Sequence, residues 1–149
     1  MEQKLPNSDK DFILLSEAGF VAINQADEDA AVKLFRAAEL LEPKNTLPRI
    51  GMGYLHFLKL ELKEAGKIFQ DILTSEPDNE MANALYGLSM VLDPSGMAKG
   101  EKILENAAKN AKDPTVKTMA LTAMEFVEKF VKKPGGGSLP GSSKEKKKK

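Results

Sequence analysis

Residues Thr46 to Asn79 read TLPRIGMGYLHFLKLELKEAGKIFQDILTSEPDN, and a near-copy of this stretch lies immediately upstream. Gly53 answers to Gly19, Ala65 to Ala31, Phe69 to Phe35 and Pro77 to Pro43, each displaced by the same 34 positions. A fixed period of that length marks a supersecondary unit stacked on copies of itself, because one such unit cannot bury its apolar face alone. Apolar residues recur every three or four positions on either side of Leu60-Glu61-Leu62, and Pro77 closes the second run. Each unit therefore reads as two helices joined by a tight turn.

Upstream of that stretch, Pro6 to Asp11 form a polar lead-in in which Ser8 or Asp9 is placed to cap a helix beginning near Phe12 and running to about Gln25. This helix carries two apolar stripes, Leu15, Ala18, Gly19 and Ala22 on one side and Ile13, Phe20 and Ile23 with Ser16 on the other, so it touches two things. A second helix is expected over Glu28 to Leu41, its early acids suited to the positive end of the helix dipole. Pro43 stops it, Asn45 caps the next, and Pro48 sits in a first turn where its missing donor costs nothing. The hairpin then comprises a helix through Phe57 and Leu58 and a partner from about Leu62 to Ser75.

Downstream, Tyr86-Gly87 stands one full period after Met52-Gly53, but Leu92-Asp93-Pro94-Ser95-Gly96 makes a longer turn. With one residue inserted, Gly100, Leu104 and Ala107 take the places of Ala65, Phe69 and Ile72, and Asp113-Pro114 arrives later than one period after Pro77. Thr115 to Lys132 reads as a seventh helix covering the open end. The divisions are thus a lead-in over residues 1–11, an all-α domain over 12–133 with units at 12–45, 46–79 and 80–113 and a capping helix over 114–132, and a Gly-, Ser- and Lys-rich tail over 134–149. The tail is too poor in apolar surface to offset ordering and is expected to be disordered.

Composition narrows the function. Of 149 residues, 22 are basic and 22 acidic, and setting aside the tail's five lysines and one glutamate leaves a mildly acidic body with 17 basic and 21 acidic side chains. No basic face of the kind nucleic acid requires is implied. The absence of cysteine removes disulfides, thiolate zinc sites and cysteine nucleophiles. A polar N-terminus and the lack of any apolar run of membrane-spanning length lead to an expected cytoplasmic location.

Gly19, Ala31, Phe35, Ala38 and Pro43, followed by Gly53, Ala65, Phe69 and Pro77, resemble the tetratricopeptide repeat consensus. The resemblance covers about residues 12–112 and implies three helix-turn-helix repeats plus the capping helix, in a right-handed superhelical stack with a concave groove. Arg49 and Asn83 depart from it, standing where the family has a large apolar residue. In such stacks the first helix of each hairpin lines the groove, and the stripe that its partner helix leaves uncovered reads Ile13, Ser16, Phe20, Ile23, then Leu47, Ile50, Tyr54, Phe57, then Met81, Ala84, Leu88, Val91. The expected partner-binding residues are accordingly Ile13, Phe20, Ile23, Leu47, Ile50, Tyr54, Phe57, Met81, Leu88 and Val91.

An open apolar groove of that length calls for the apolar face of a helix. Tetratricopeptide domains that grip a chaperone's C-terminal carboxylate place Lys and Asn along this stripe, where this chain has Ile, Tyr, Phe and Leu. What remains resembles the small, acidic cytoplasmic chaperones of bacterial type III secretion that hold an aggregation-prone needle or translocator subunit. The chain starts almost directly with its first repeat, without the long N-terminal helical extension of translocator chaperones, which points to the needle-subunit branch. The implied partners are an amphipathic helix of a small secreted subunit and a second small helical co-chaperone, with homodimerisation a further expectation for the client-free form. A general tetratricopeptide adaptor in a multiprotein assembly is the alternative.

Other motifs have blander readings. His56 lies on the helix-pairing stripe and is expected to be packed and hydrogen-bonded, and with no nucleophile–base constellation the chain is not expected to be an enzyme. Gly51-Met52-Gly53 lies within a helical pattern and lacks the Lys-Ser or Lys-Thr of a phosphate loop, so it serves close packing. Asp27-Glu28-Asp29 point in different directions from a helix start and suit capping rather than a cation. No cofactor, metal, nucleic acid or membrane insertion is expected.

Overall fold

The computed structural model describes residues 7–132. The expected disordered tail at 134–149 lies outside the described residues. Within them the chain is all-helical, with α1 Ser8–Asn24, α2 Glu28–Leu41, α3 Leu47–Leu58, α4 Leu62–Ser75, α5 Glu80–Val91, α6 Met97–Asn110 and α7 Pro114–Phe126, the last widening into a π-helical turn over Val127–Val131. The polar lead-in is shorter than its sequence implies: α1 already begins at Ser8, because a first turn needs no apolar residues and Asp11 N–H reaches the Asn7 carbonyl. Asn7 itself adopts a left-handed conformation and supplies no side-chain cap.

Side-chain caps set the starts of α2, α5 and α7, whereas α4 and α6 begin without one. Asp27 accepts from Ala30 N–H at 3.0 Å, Asn79 from Ala82 N–H at 3.0 Å, and Asp113 from Thr115 N–H at 2.8 Å. Asn45 accepts from Leu47 N–H at 3.1 Å, and Pro48 occupies the first turn of α3. The start of each later hairpin is also tied to that hairpin's own end: the Thr46 hydroxyl donates to Glu76, and Glu80, one period after Thr46, accepts from the backbone N–H groups of Lys112 and Asp113 at 2.8 and 2.9 Å.

The odd and even helices alternate. α2 packs on α1 and α3, α4 on α3 and α5, and α6 on α5 and α7, while α1, α3, α5 and α7 also touch one another in succession. The first two hairpins each close on a glycine. A methyl group on Gly19 would stand 2.6 Å from the Phe35 ring, and one on Gly53 would stand 2.6 Å from the Phe69 ring, both rings being fully buried. Gly51 meets Phe35 of the preceding hairpin instead, so this pair of glycines lets α3 rest on two aromatic rings at once. That is the packing role expected of Gly51-Met52-Gly53.

The third hairpin differs for a reason written at one position. Ala26 and its counterpart one period on, Leu60, turn their hairpins with positive φ of 57° and 60°. The corresponding residue of the third is Pro94, whose ring locks φ at a negative value and forbids that turn. The chain takes a longer path through Asp93, which accepts from the backbone N–H and hydroxyl of Ser95, and α6 starts one residue late. Leu104 then replaces the phenylalanine, and a Cβ at Gly100 would lie 2.7 Å from the Gly87 carbonyl oxygen, so here backbone meets backbone.

Candidate functional site

The stripe expected to line a groove divides into two sets. Ile23, Ile50 and Val91 are buried, as are Ser16 and Ala84, because these positions face the neighbouring hairpin: Ile23 lies in a core cluster with Leu55, Ile50 in one with Ala82 and Leu85, and Val91 in one with Val116 and Ala120. These three are therefore wall-supporting core residues rather than exposed lining. The intervening positions stay accessible. Ile13 and Leu47 are exposed, and Phe20, Tyr54, Phe57, Met81 and Leu88 are half-buried. Phe20 meets Phe35 edge-on at 5.1 Å between centroids, and Tyr54 stacks on Phe57 at 6.4 Å, so the accessible rings are held in place.

An apolar opening on this row lies at the C-terminal ends of the odd helices. A pocket of about 440 Å³ is walled by Phe57 from α3, Leu88, Val91 and Leu92 from the end of α5, and Met119, Thr122, Ala123, Phe126 and Val127 from α7 and the π turn. The expected stripe contributes Phe57, Leu88 and Val91. Sequence reasoning treats the seventh helix as a cover and misses its share of this wall. Carried one period further into α7, the stripe gives Thr115, Thr118, Thr122 and Glu125 and so loses its apolar character, whereas the apolar part of the wall is formed one face round. Phe126 and Phe130, with ring centroids 5.0 Å apart, were the available signal, and both remain exposed.

No ionisable side chain enters this wall. The charged groups lie elsewhere, many of them paired with one another. Glu28 holds Lys59 at 2.7 Å, Asp29 holds Lys33 at 2.6 Å, and Asp27 is a cap, so the three adjacent acids diverge. His56 is half-buried with Nδ1 on Glu61, whose carboxyl is held below its ordinary range by that hydrogen bond first and by Lys59 second. Arg49 pairs with Asp71 of α4.

The site is thus an uncharged, partly walled surface on which rings and branched side chains are accessible and already ordered, an arrangement suited to binding an apolar surface. No described helix is long and apolar enough to cross a membrane. Comparison with protein-family models, with curated proteins and with solved structures gives no match.

Proposed function

We propose that the three hairpins are tetratricopeptide repeats closed by α7, and that the chain is a cytoplasmic type III secretion chaperone. Its client is an amphipathic helix of a small secreted needle or translocator subunit, held on the row formed by the odd helices. The observation that carries this reading is the convergence of accessible apolar side chains from α3, α5 and α7 on one pocket of about 440 Å³ with no charged wall. Odd helices that touch in succession, with the even helices packed between them, favour curvature toward the odd side, which would make that row the concave face. Binding there would bury the surface through which the subunit polymerises and shift it by mass action to the soluble complex.

Co-expression with the short reading frames beside its gene, followed by co-purification, tests the proposal. A soluble complex with one small secreted subunit and a small helical co-chaperone is expected, and it is lost in Phe57→Glu or Phe126→Glu while helicity and melting stay near those of the parent. Capture of large folded partners alone would favour a general adaptor. Unchanged client capture by both variants would remove the pocket from the mechanism.

A further inference from the structure

The seam between the second and third hairpins departs from the one before it at several positions that meet in one place. Where α2 meets α3, Val32 and Met52 both pack on the core cluster around Phe35. One period later the same positions are Gly66 and Tyr86. A methyl group on Gly66 would meet only Tyr86 Cε2, at 3.8 Å, and the missing side chain leaves a hollow of about 220 Å³ between α4 and α5. Leu62, Tyr86 and Met90 give it apolar walls.

The charges at this seam change as well. On α2, Asp29 neutralises Lys33 at 2.6 Å, but one period later that pair is Lys63 and Lys67, both in the wall of the hollow. Like charges at this spacing repel, and Lys63 stands in the first turn of α4, where the helix dipole disfavours a cation. Neither lysine has an ion pair among the described residues, although Asp93 in the same wall attracts Lys63 through space. Asp93 itself is engaged by the backbone N–H and hydroxyl of Ser95. A third cation comes from the first turn of α6: Lys99 Nζ lies 3.3 Å from the Tyr86 hydroxyl and 5.4 Å from the centroid of its ring. Gln70 donates to the same hydroxyl at 2.7 Å. With two donors on its oxygen, the phenol keeps its own proton for an acceptor.

Three cations and one carboxylate leave a surplus of two positive charges around the hollow. A phosphate monoester carries a charge of about −1.5 to −2 at neutral pH and is met well by lysine ammonium groups acting as point charges. A carboxylate is better met by the arginine fork, and no arginine lines this wall. The volume is that of about seven waters, room for a phosphate and a short apolar group. We propose that the hollow between α4 and α5 binds a small phosphate monoester, its phosphate held by Lys63, Lys67, Lys99 and the Tyr86 hydroxyl and its apolar body lying over Gly66 and Met90. The hollow shares no residue with the pocket between α3, α5 and α7, so it stands or falls apart from the client-binding proposal.

Phenyl phosphate titrated into the full chain at constant ionic strength, followed by amide NMR shifts, tests it. Saturable binding with a Kd of about 1 mM or tighter is expected, with the shifts centred on Gly66, Gln70 and Ser89 in the wall. It should be at least about tenfold tighter than for inorganic phosphate, which lacks the apolar body, or phenol, which lacks the charge. K63Q and K67Q should each weaken it about three- to tenfold, and both positions are exposed, so circular dichroism should show these variants folded. G66V, which restores the side chain present at Val32, should abolish binding. No saturation by about 20 mM, equal affinity for phenyl phosphate and inorganic phosphate, or binding unaltered in both lysine variants would each overturn the proposal. Capture by phosphatidylcholine vesicles containing phosphatidic acid, lost in K63Q and unaccompanied by binding of phenyl phosphate, would assign the lysines to a lipid headgroup and overturn it as well.

Discussion

Replacing Gly53 by alanine opposes two effects whose balance depends on a single contact. Alanine in a helix interior is favoured over glycine by about 1 kcal/mol. The new methyl group, however, would lie 2.6 Å from Cε1 and 2.8 Å from Cζ of Phe69, well inside the ordinary carbon–carbon separation of about 3.5–4.0 Å. Phe69 is fully buried in the cluster with Ala65, Ile72 and Leu85, so its ring has no free space to enter. Overpacking of this kind costs roughly 1–3 kcal/mol, and a contact this short belongs in the upper half of that range. The net expectation is a loss of about 1–2 kcal/mol, or a fall in Tm of roughly 3–10 °C for a domain of this size. Gly66→Ala provides the control, since its methyl would meet only Tyr86 Cε2 at 3.8 Å, an ordinary contact, and the helix preference should then appear as a gain of up to about 1 kcal/mol. Urea titrations followed by circular dichroism, with the slope checked for constancy, measure both. Movement of the two variants in the same direction would refute the claim that ring contact, rather than helix preference, determines the glycine at position 53.

Leu60 is 71% exposed and held at positive φ, so Leu60→Gly should relieve the left-handed strain and raise stability by roughly 0.5–1 kcal/mol, whereas Leu60→Pro, which imposes on this turn the restriction present at Pro94, should lower it by about 2 kcal/mol or more; thermal melts distinguish them. The Glu80 carboxyl is held below its ordinary range by the Lys112 backbone hydrogen bond first and the Asp113 backbone hydrogen bond second. Its contribution is therefore present above the pKa of the unfolded chain and is lost as pH falls through the lower folded value. Glu80→Gln should accordingly be less stable than the parent at neutral pH and converge with it in acid, as urea midpoints compared across that range would show; a constant gap would count against the hydrogen bonds as its cause.

Much of the fold is legible in the sequence because periodicity and punctuation agree. The expected limits of α2 and α4 coincide with those observed, since Asp27 caps one, Pro43 and Pro77 follow the ends, and the apolar stripe fills each helix between. The start of α1 escapes such a reading because its first turn is polar, and hydrophobic spacing carries no information there. The stripe on the odd helices is visible as a stripe, but periodicity does not distinguish a residue that faces solvent from one that faces the next hairpin, so Ile23, Ile50 and Val91 group with Tyr54 and Phe57. The π turn that follows Phe126 has no local signature, and with it the contribution of α7 to the pocket lies out of reach of a repeat-based reading.

Leu14 and Val21 leave one flank of α1 exposed, and this bears on how the array opens. In a linear array each hairpin draws stability from itself and from its neighbours, and an end unit with one neighbour opens before those with two. At the far end, α7 covers α6, and Lys132 bridges back to Glu101 at 3.0 Å, whereas α1 has its apolar flank in water. Amide exchange should therefore run as a gradient, fastest in α1 and α2 and slowest around the Phe69 cluster. Any partner seated on Leu14 and Val21 would flatten that gradient from one side, raising the protection of α1 while that of α5 stayed fixed.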